Sequence, residues 1–214
     1  MPPRMHPRLR CTKTPVTSEL SDTYALFVSR QICRRNHCLS ELNAKDMAFP
    51  PIQDHAIVGD CRSAALIADN GSLDWLCWPR FDSPTIFAGL LDPIRGGHWI
   101  IAPYQPYSVR RKYIENTNVL QTEFMTPSGS VVLTDLMPVS SEEYKRTAVT
   151  PDPQMLRQVE CPSGQVTGNM EFVARPNFAI STARIRDLKK LGIQILHGRC
   201  VYWLRSNMPM GYSE

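Results

Sequence analysis

The chain has 214 residues, 43% hydrophobic and 21% charged, with a formal net charge of +4, a balance that suits a globular protein and excludes a wholly disordered or fibrous one. Residues 1–50 hold eight Lys/Arg against four Asp/Glu and residues 51–214 hold sixteen of each, so the whole positive excess sits in the leader. A neutral body offers no basic surface for nucleic acid, and with no apolar run near the roughly 18 residues of a membrane span, no membrane partner is expected.

The seven cysteines, at positions 11, 33, 38, 61, 77, 161 and 200, are odd in number and show no C-x-x-C spacing. No apolar signal core follows Met1, so a cytoplasmic protein with reduced thiols is expected. Arg4, Arg8, Arg10 and Lys13 precede the first acid, Glu19, which keeps an N-terminal transit peptide as the weaker alternative, although three early prolines oppose an amphipathic helix.

Residues 1–47 form a basic extension without strand alternation, expected to be poorly structured or partly helical. Its one candidate helix is "LSDTYALFVSRQICRRNHCLSEL", where Ser21 or Asp22 would cap the start. Inside it Cys33, His37 and Cys38 carry metal-capable atoms, but no second pair stands at a matching distance, so no metal site is expected. "AFPPIQD" then punctuates the chain, since Pro50 and Pro51 disfavour helix in the residues before them.

From Ile52 the pattern becomes short β-rich runs between turn residues: "SAALIA", "LDWLCW", "GGHWIIAP", "YSVRRKYI", "NVLQTEFMT" and "VVLTDLMPV". Asp69-Asn70-Gly71 and Pro127-Ser128-Gly129-Ser130 supply the reversals between them. Further on, "PQMLRQVECPSGQVTGNMEFVARPNFA" reads as strand, Pro-Ser-Gly turn and strand, and "GIQILHGRCVYWLRSNMPM" as two strands around His197-Gly198. Only "TIFAGLLD" and "ISTARIRDLKKLG" read as helical, too little for βαβ units. The expected fold is all-β, an antiparallel β-sandwich over residues 48–214, complete or incomplete, behind the extension of residues 1–47.

Residues 57–84 gather the groups that could carry chemistry: Asp60, Asp69, Asp74 and Asp82, Arg62 and Arg80, Trp75 and Trp78. "DNGSLD" opens like a calcium loop but lacks the remaining ligands, and an Asx-Gly pair between apolar runs is a hairpin signal. Trp75 and Trp78 offer faces on which a sugar ring can stack, yet three positions apart on a strand they point to opposite sides, so core packing competes with ligand contact. Arg80 and Asp82 flank Phe81, as an ion pair holding a loop would. Trp75, Trp78 and Arg80 are therefore the candidate substrate-binding residues. No G-x-S-x-G, G-x-x-x-x-G-K-[ST] or G-x-G-x-x-G occurs, so no nucleophile turn, no phosphate cradle and no cofactor is expected, while composition alone leaves a Ser–His–Asp triad open.

The run "PPIQDHAIVGDCRSAALIADNGSLDWLCWPRFDSPTIFAGLLD", continued by "GGHWIIAP", "RRKYIENTNVLQTEFMTPSGSVVLTDLMPV" and "LRQVECPSGQVTGNMEFVARPNFA", resembles the trehalase-like N-terminal domain of glycoside hydrolase family 15. The resemblance implies a β-sandwich that accompanies an (α/α)6 catalytic barrel in glucoamylases and trehalases. Two glutamates of that barrel perform an inverting hydrolysis, one as acid and one activating water. It implies that this chain is a truncated portion of such an enzyme, inactive alone, whose partners are the barrel and, through the full protein, a glucan or trehalose. A free-standing carbohydrate-binding or interaction module, using Trp75, Trp78, Trp99 or Trp203 as a stacking platform, is the alternative, and a non-functional gene fragment is a third.

Overall fold

The computed structural model describes residues 8–10, 15–17, 50–147, 153–180, 183–207 and 211–213. Strands β1 (Arg8–Arg10) and β2 (Pro15–Thr17) come first, and the candidate helix of the extension lies outside the described residues. Then follow β3 (His55–Gly59), β4 (Ala64–Ala68), β5 (Ser72–Cys77), β6 (Thr85–Ala88), β7 (His98–Pro103), β8 (Ser108–Tyr113), β9 (Leu120–Thr126) and β10 (Gly129–Leu136). A short helix α1 (Glu142–Thr147) precedes β11 (Leu156–Val173), β12 (Arg184–Asp187), β13 (Ile193–His197), β14 (Cys200–Leu204) and β15 (Gly211–Ser213).

All pairings are antiparallel. The main sheet follows the order β3-β4-β5-β7-β11-β10-β9-β8, with β1, β2, β6 and β15 off that path, and β12-β13-β14 form a second, three-stranded sheet. Ile193, Ile195 and Leu204 of the small sheet share one buried cluster with Val58, Leu73, Phe87, Trp99 and Phe172 of the large one, so the two sheets pack face to face as the all-β reading expects. At its centre Phe172 meets Phe87 and Trp99 edge-on, with ring centroids 5.2 and 5.4 Å apart.

The large sheet curls until its edges meet. The Tyr113 hydroxyl on β8 donates to the Ile57 carbonyl (2.9 Å) and accepts from the Ile57 amide (3.0 Å) on β3. One phenol thereby satisfies a backbone pair that an edge strand would leave open. The rest of β8 is blunted by Arg110, Arg111 and Lys112.

Three local expectations are corrected. "TIFA" is strand β6 rather than helix: its four residues are all buried, and Thr85, Ile86 and Phe87 suit a pleated surface that pairs with β5. "RIRD" is strand β12, followed by a single 3-10 turn at Lys189–Leu191, because alternate burial of Ile185 gives that run a strand period. Cys161-Pro162-Ser163-Gly164 is a bulge within one eighteen-residue strand rather than a reversal, since the register to β10 slips between Ser130 and Val132. Pro162 sits at that bulge, where a missing N–H is tolerated. Gly164, at φ +71°, lies so close to the Ser128 carbonyl that an added Cβ would come within 2.1 Å of it.

At the start of β11, opposite Asp135 of β10, Arg157 is wholly buried. Its Nε donates to Asp135 Oδ1 (2.7 Å), Nη2 to Asp135 Oδ2 (3.3 Å) and to the Gly71 carbonyl (2.7 Å), and Nη1 to the Trp99 carbonyl. The guanidinium also lies 5.0 Å from the Trp99 ring centroid. Burial pushes the Asp135 carboxyl up, opposed by the charge and hydrogen bonds of Arg157.

Removing one member of such a pair strands a buried charge. Asp135→Ala is therefore expected to lower the unfolding free energy by about 3–5 kcal/mol in a urea titration; a loss under about 1 kcal/mol would mean that Arg157 does not depend on Asp135.

Candidate functional site

The stretch 57–84 begins as two hairpins. Asn70 Oδ1 accepts from the Ser72 amide (2.9 Å) and Gly71 takes φ +81°, so Asp69-Asn70-Gly71 is a turn, with no calcium ligands converging on it. Leaving this turn, β5 bulges against β4: Leu73 faces Ile67 and Trp75 faces Leu66, with Asp74 as the extra residue. The Asp74 carboxylate is held from two sides, by Ser72 Oγ at 2.5 Å and His55 Nε2 at 3.1 Å. The bulge lets Leu73 and Leu76 both join the core while Trp75 stays outside it, half-buried against Phe178 at a centroid distance of 6.2 Å.

Beyond β5 the chain turns through residues 78–84. Trp78 packs half-buried against the core, and the Trp78–Pro79 bond is cis. Arg80 makes the expected pair with Asp82, Nε to Oδ1 at 3.0 Å and Nη2 to Oδ2 at 2.9 Å, both side chains about seventy per cent exposed. The neighbouring β3–β4 turn locks onto this loop. Asp60 Oδ1 accepts from the Arg62 and Ser63 amides, the Arg62 carbonyl accepts from the Phe81 amide (2.9 Å), and Ser63 Oγ donates to the Cys77 carbonyl.

A third segment joins them from β11. Asn177, Phe178 and Ala179 are three successive non-glycine residues in the left-handed region, at φ +54°, +55° and +60°. Each such residue costs roughly 1–2 kcal/mol, so the turn persists only where its surroundings hold it. They do: the Arg175 amide donates to the Ile86 carbonyl (2.9 Å), the Asn177 amide to the Thr85 carbonyl (2.8 Å) and the Phe178 amide to Thr85 Oγ1 (2.9 Å).

The three segments form one end face around the start of β6. Trp78 and Arg80 lie in the loop that enters β6, and Trp75 stands opposite Ala88 at its end. The exposed large apolar side chains of these segments are Phe81 at 62%, Phe178 at 48% and Ile180 at 77%. Its acids are already engaged, Asp60 with backbone amides and Asp82 with Arg80, and burial pushes the Cys77 thiol up, away from the reactive thiolate. The geometry suits contact through apolar side chains on a stiff frame rather than proton transfer. Among the described residues no group of three or more His, Cys, Asp or Glu side chains could hold a metal ion, and no helix is long and apolar enough to cross a membrane. Cys33, His37 and Cys38 lie outside the described residues.

Sequence reasoning did not find the Phe178 turn, whose only signal is an asparagine after Pro176, nor the link from Asp74 to His55, nineteen residues earlier. Of the remaining tryptophans, Trp99 is buried in the core and Trp203 stands exposed on the small sheet.

The trehalase-like N-terminal family matches residues 43–207. The chain is 35% identical over 130 residues to a trehalase of Mycolicibacterium smegmatis, covering 55% of this chain and 19% of that protein. It is 38% identical over 134 residues to a trehalase of Thermoplasma volcanium, covering 61% and 20%, and 33% identical over 129 residues to a trehalase of Mycobacterium tuberculosis, covering 55% and 19%. The matched part thus spans about a fifth of the length of these relatives. No solved structure matches the chain.

Two substitutions separate what holds the end face from what decorates it. Thr85→Val removes the acceptor of the Phe178 amide and is expected to cost about 1–2 kcal/mol, whereas Arg80→Ala breaks an exposed pair and should cost under about 1 kcal/mol. Urea titration of both variants checks this, and equal costs would contradict it.

Proposed function

This chain belongs to the trehalase-like N-terminal family, and from that membership we propose that it serves a trehalase-type glycoside hydrolase as a non-catalytic scaffold. Its end face of Phe81, Phe178 and Ile180 seats the sugar-cleaving region. The observation that carries this reading is the strained turn at Asn177–Ala179: three left-handed residues are held by β6 so that Phe178 and Ile180 project outward. Phe81, Phe178 and Ile180 are each largely open to solvent, and large exposed apolar patches mark interaction surfaces.

The chemistry fits a division of labour. Inverting hydrolysis needs two carboxyl groups about 6.5–9.5 Å apart with water between them, and the resemblance to glycoside hydrolase family 15 assigns both to glutamates of an (α/α)6 barrel. In this chain the residues of the end face position and exclude water rather than move protons. Trp75 backs Phe178, the Asp60 turn anchors the Phe81 loop, and Arg80 and Asp82 neutralise each other at the rim. Trehalose is favoured over maltooligosaccharides or starch as the substrate of the complete enzyme, because the relatives bear the name trehalase; a glucoamylase-type enzyme is the runner-up.

The chain alone should release no glucose from trehalose above a buffer control. Exchanged for the matching region of one of the trehalases named above, it should support glucose release. Phe81→Ser with Phe178→Ser should then lower the melting temperature and activity of the joined protein while sparing the fold of the chain alone. Glucose release by the chain alone, or a joined protein indifferent to both substitutions, would contradict the scaffold reading.

A further inference from the structure

We propose that the outer face of the small sheet is a binding platform for a neutral pyranose ring, centred on Trp203. Burial alternates cleanly along its strands. Ile193, Ile195, Tyr202 and Leu204 turn toward the core, and Arg186, Gln194, Val201 and Trp203 turn away from it. The register then sets Arg186 opposite Gln194 and Gln194 opposite Trp203, in one row across all three strands, beside a second row of Arg184, Leu196 and Val201.

A row of three strands is roughly 10 Å wide at the usual spacing, enough for one sugar ring on the indole and a second unit toward Arg186. Trp203 is 48% exposed and Val201 49%, so the stacking surface is open. An indole face offers a flat apolar surface to the C–H side of a pyranose. The Gln194 amide both donates and accepts, and the Arg186 guanidinium donates as a fork, which is what vicinal hydroxyls require. Among the described residues neither Gln194 nor Arg186 makes a side-chain hydrogen bond within the chain, so these groups are free to bind.

The same face argues against other occupants. Two half-exposed apolar side chains fall short of the patch of several hundred Å² that marks a protein dock. An anion would be drawn to Arg184 and Arg186 but would find the negative face of the indole where the ring should stack. This site is independent of the scaffold reading, which needs no sugar contact in this chain.

The test is a titration of the chain with maltoheptaose and with trehalose, followed by tryptophan fluorescence and by protection of that fluorescence from acrylamide. Saturable binding with Kd in the range of about 0.1–10 mM is expected for a single stacked platform. Trp203→Ala should weaken it at least about tenfold, which is 1.4 kcal/mol, with an unchanged circular dichroism spectrum, while Trp203→Phe retains most of it and Gln194→Ala weakens it severalfold. No saturable response to either sugar, or equal binding by the Trp203→Ala variant, would overturn the proposal. So would tighter, salt-sensitive binding of glucose 6-phosphate, which would mark an anion site. Because binding is read on this chain alone, a negative result leaves the scaffold reading standing, and failure of the scaffold test leaves the platform standing.

Discussion

The guanidinium of Arg157 is the point to which the rest of the sheet is tied. It stands on β11, the strand that pairs with β10 along its first half and with β7 along its last six residues. Its hydrogen bonds reach Asp135 on β10, the Trp99 carbonyl on β7 and the Gly71 carbonyl in the Asp69-Asn70-Gly71 turn. A buried ion pair adds little net stability over an apolar replacement, because desolvation offsets the attraction. What this one adds is position: it ties the start of β11 to β10 and to the end of the Asp69-Asn70-Gly71 turn, which feeds β5.

From that anchor the geometry of the end face follows in steps. The Gly71 carbonyl also accepts from the Ile101 amide (3.2 Å), so the start of β5 is fixed against β7. A few residues on, the Asp74 bulge rotates Trp75 out of the core, and Thr85 on the adjoining strand captures the left-handed turn of Asn177–Ala179. Strain at this turn is held by the Thr85 carbonyl and hydroxyl and, through the Arg175 amide, by the Ile86 carbonyl. The small sheet is fixed differently, by Ile193, Ile195 and Leu204 in the shared core, and its outer face is left to other uses.

The parts of this architecture that were legible in the sequence are those with a local cause. Asn70-Gly71 and Pro127-Ser128 make reversals by their own backbone preferences, and alternation along Leu120–Thr126 and Ile193–Leu204 announces strands with one buried face. The Arg80–Asp82 pair, two residues apart, was equally plain. Causes that act at long range stayed hidden. Arg157 reads as one more charge in a polar run, because its partners stand 22, 58 and 86 residues away. "TIFAGLL" has the spacing of a helix until β5 supplies a partner that makes a strand better. Pro162-Ser163-Gly164 looks like a turn, and only the register of β10 shows that the chain continues through it. Of the candidate residues, Trp75 and Trp78 are half-buried and Arg80 is spent on Asp82, while the exposed Phe178 and Ile180 lie in a segment where no motif points to them.

We propose that the end face around β6 is the seat of a sugar-cleaving region. Amide hydrogen exchange, compared between the chain alone and the chain joined to a trehalase catalytic region, tests it most directly. A seated end face should show slower exchange in residues 78–84 and 175–180 on joining, with little change along β8. Unchanged exchange in both loops, or protection confined to β8 and β9, would contradict it.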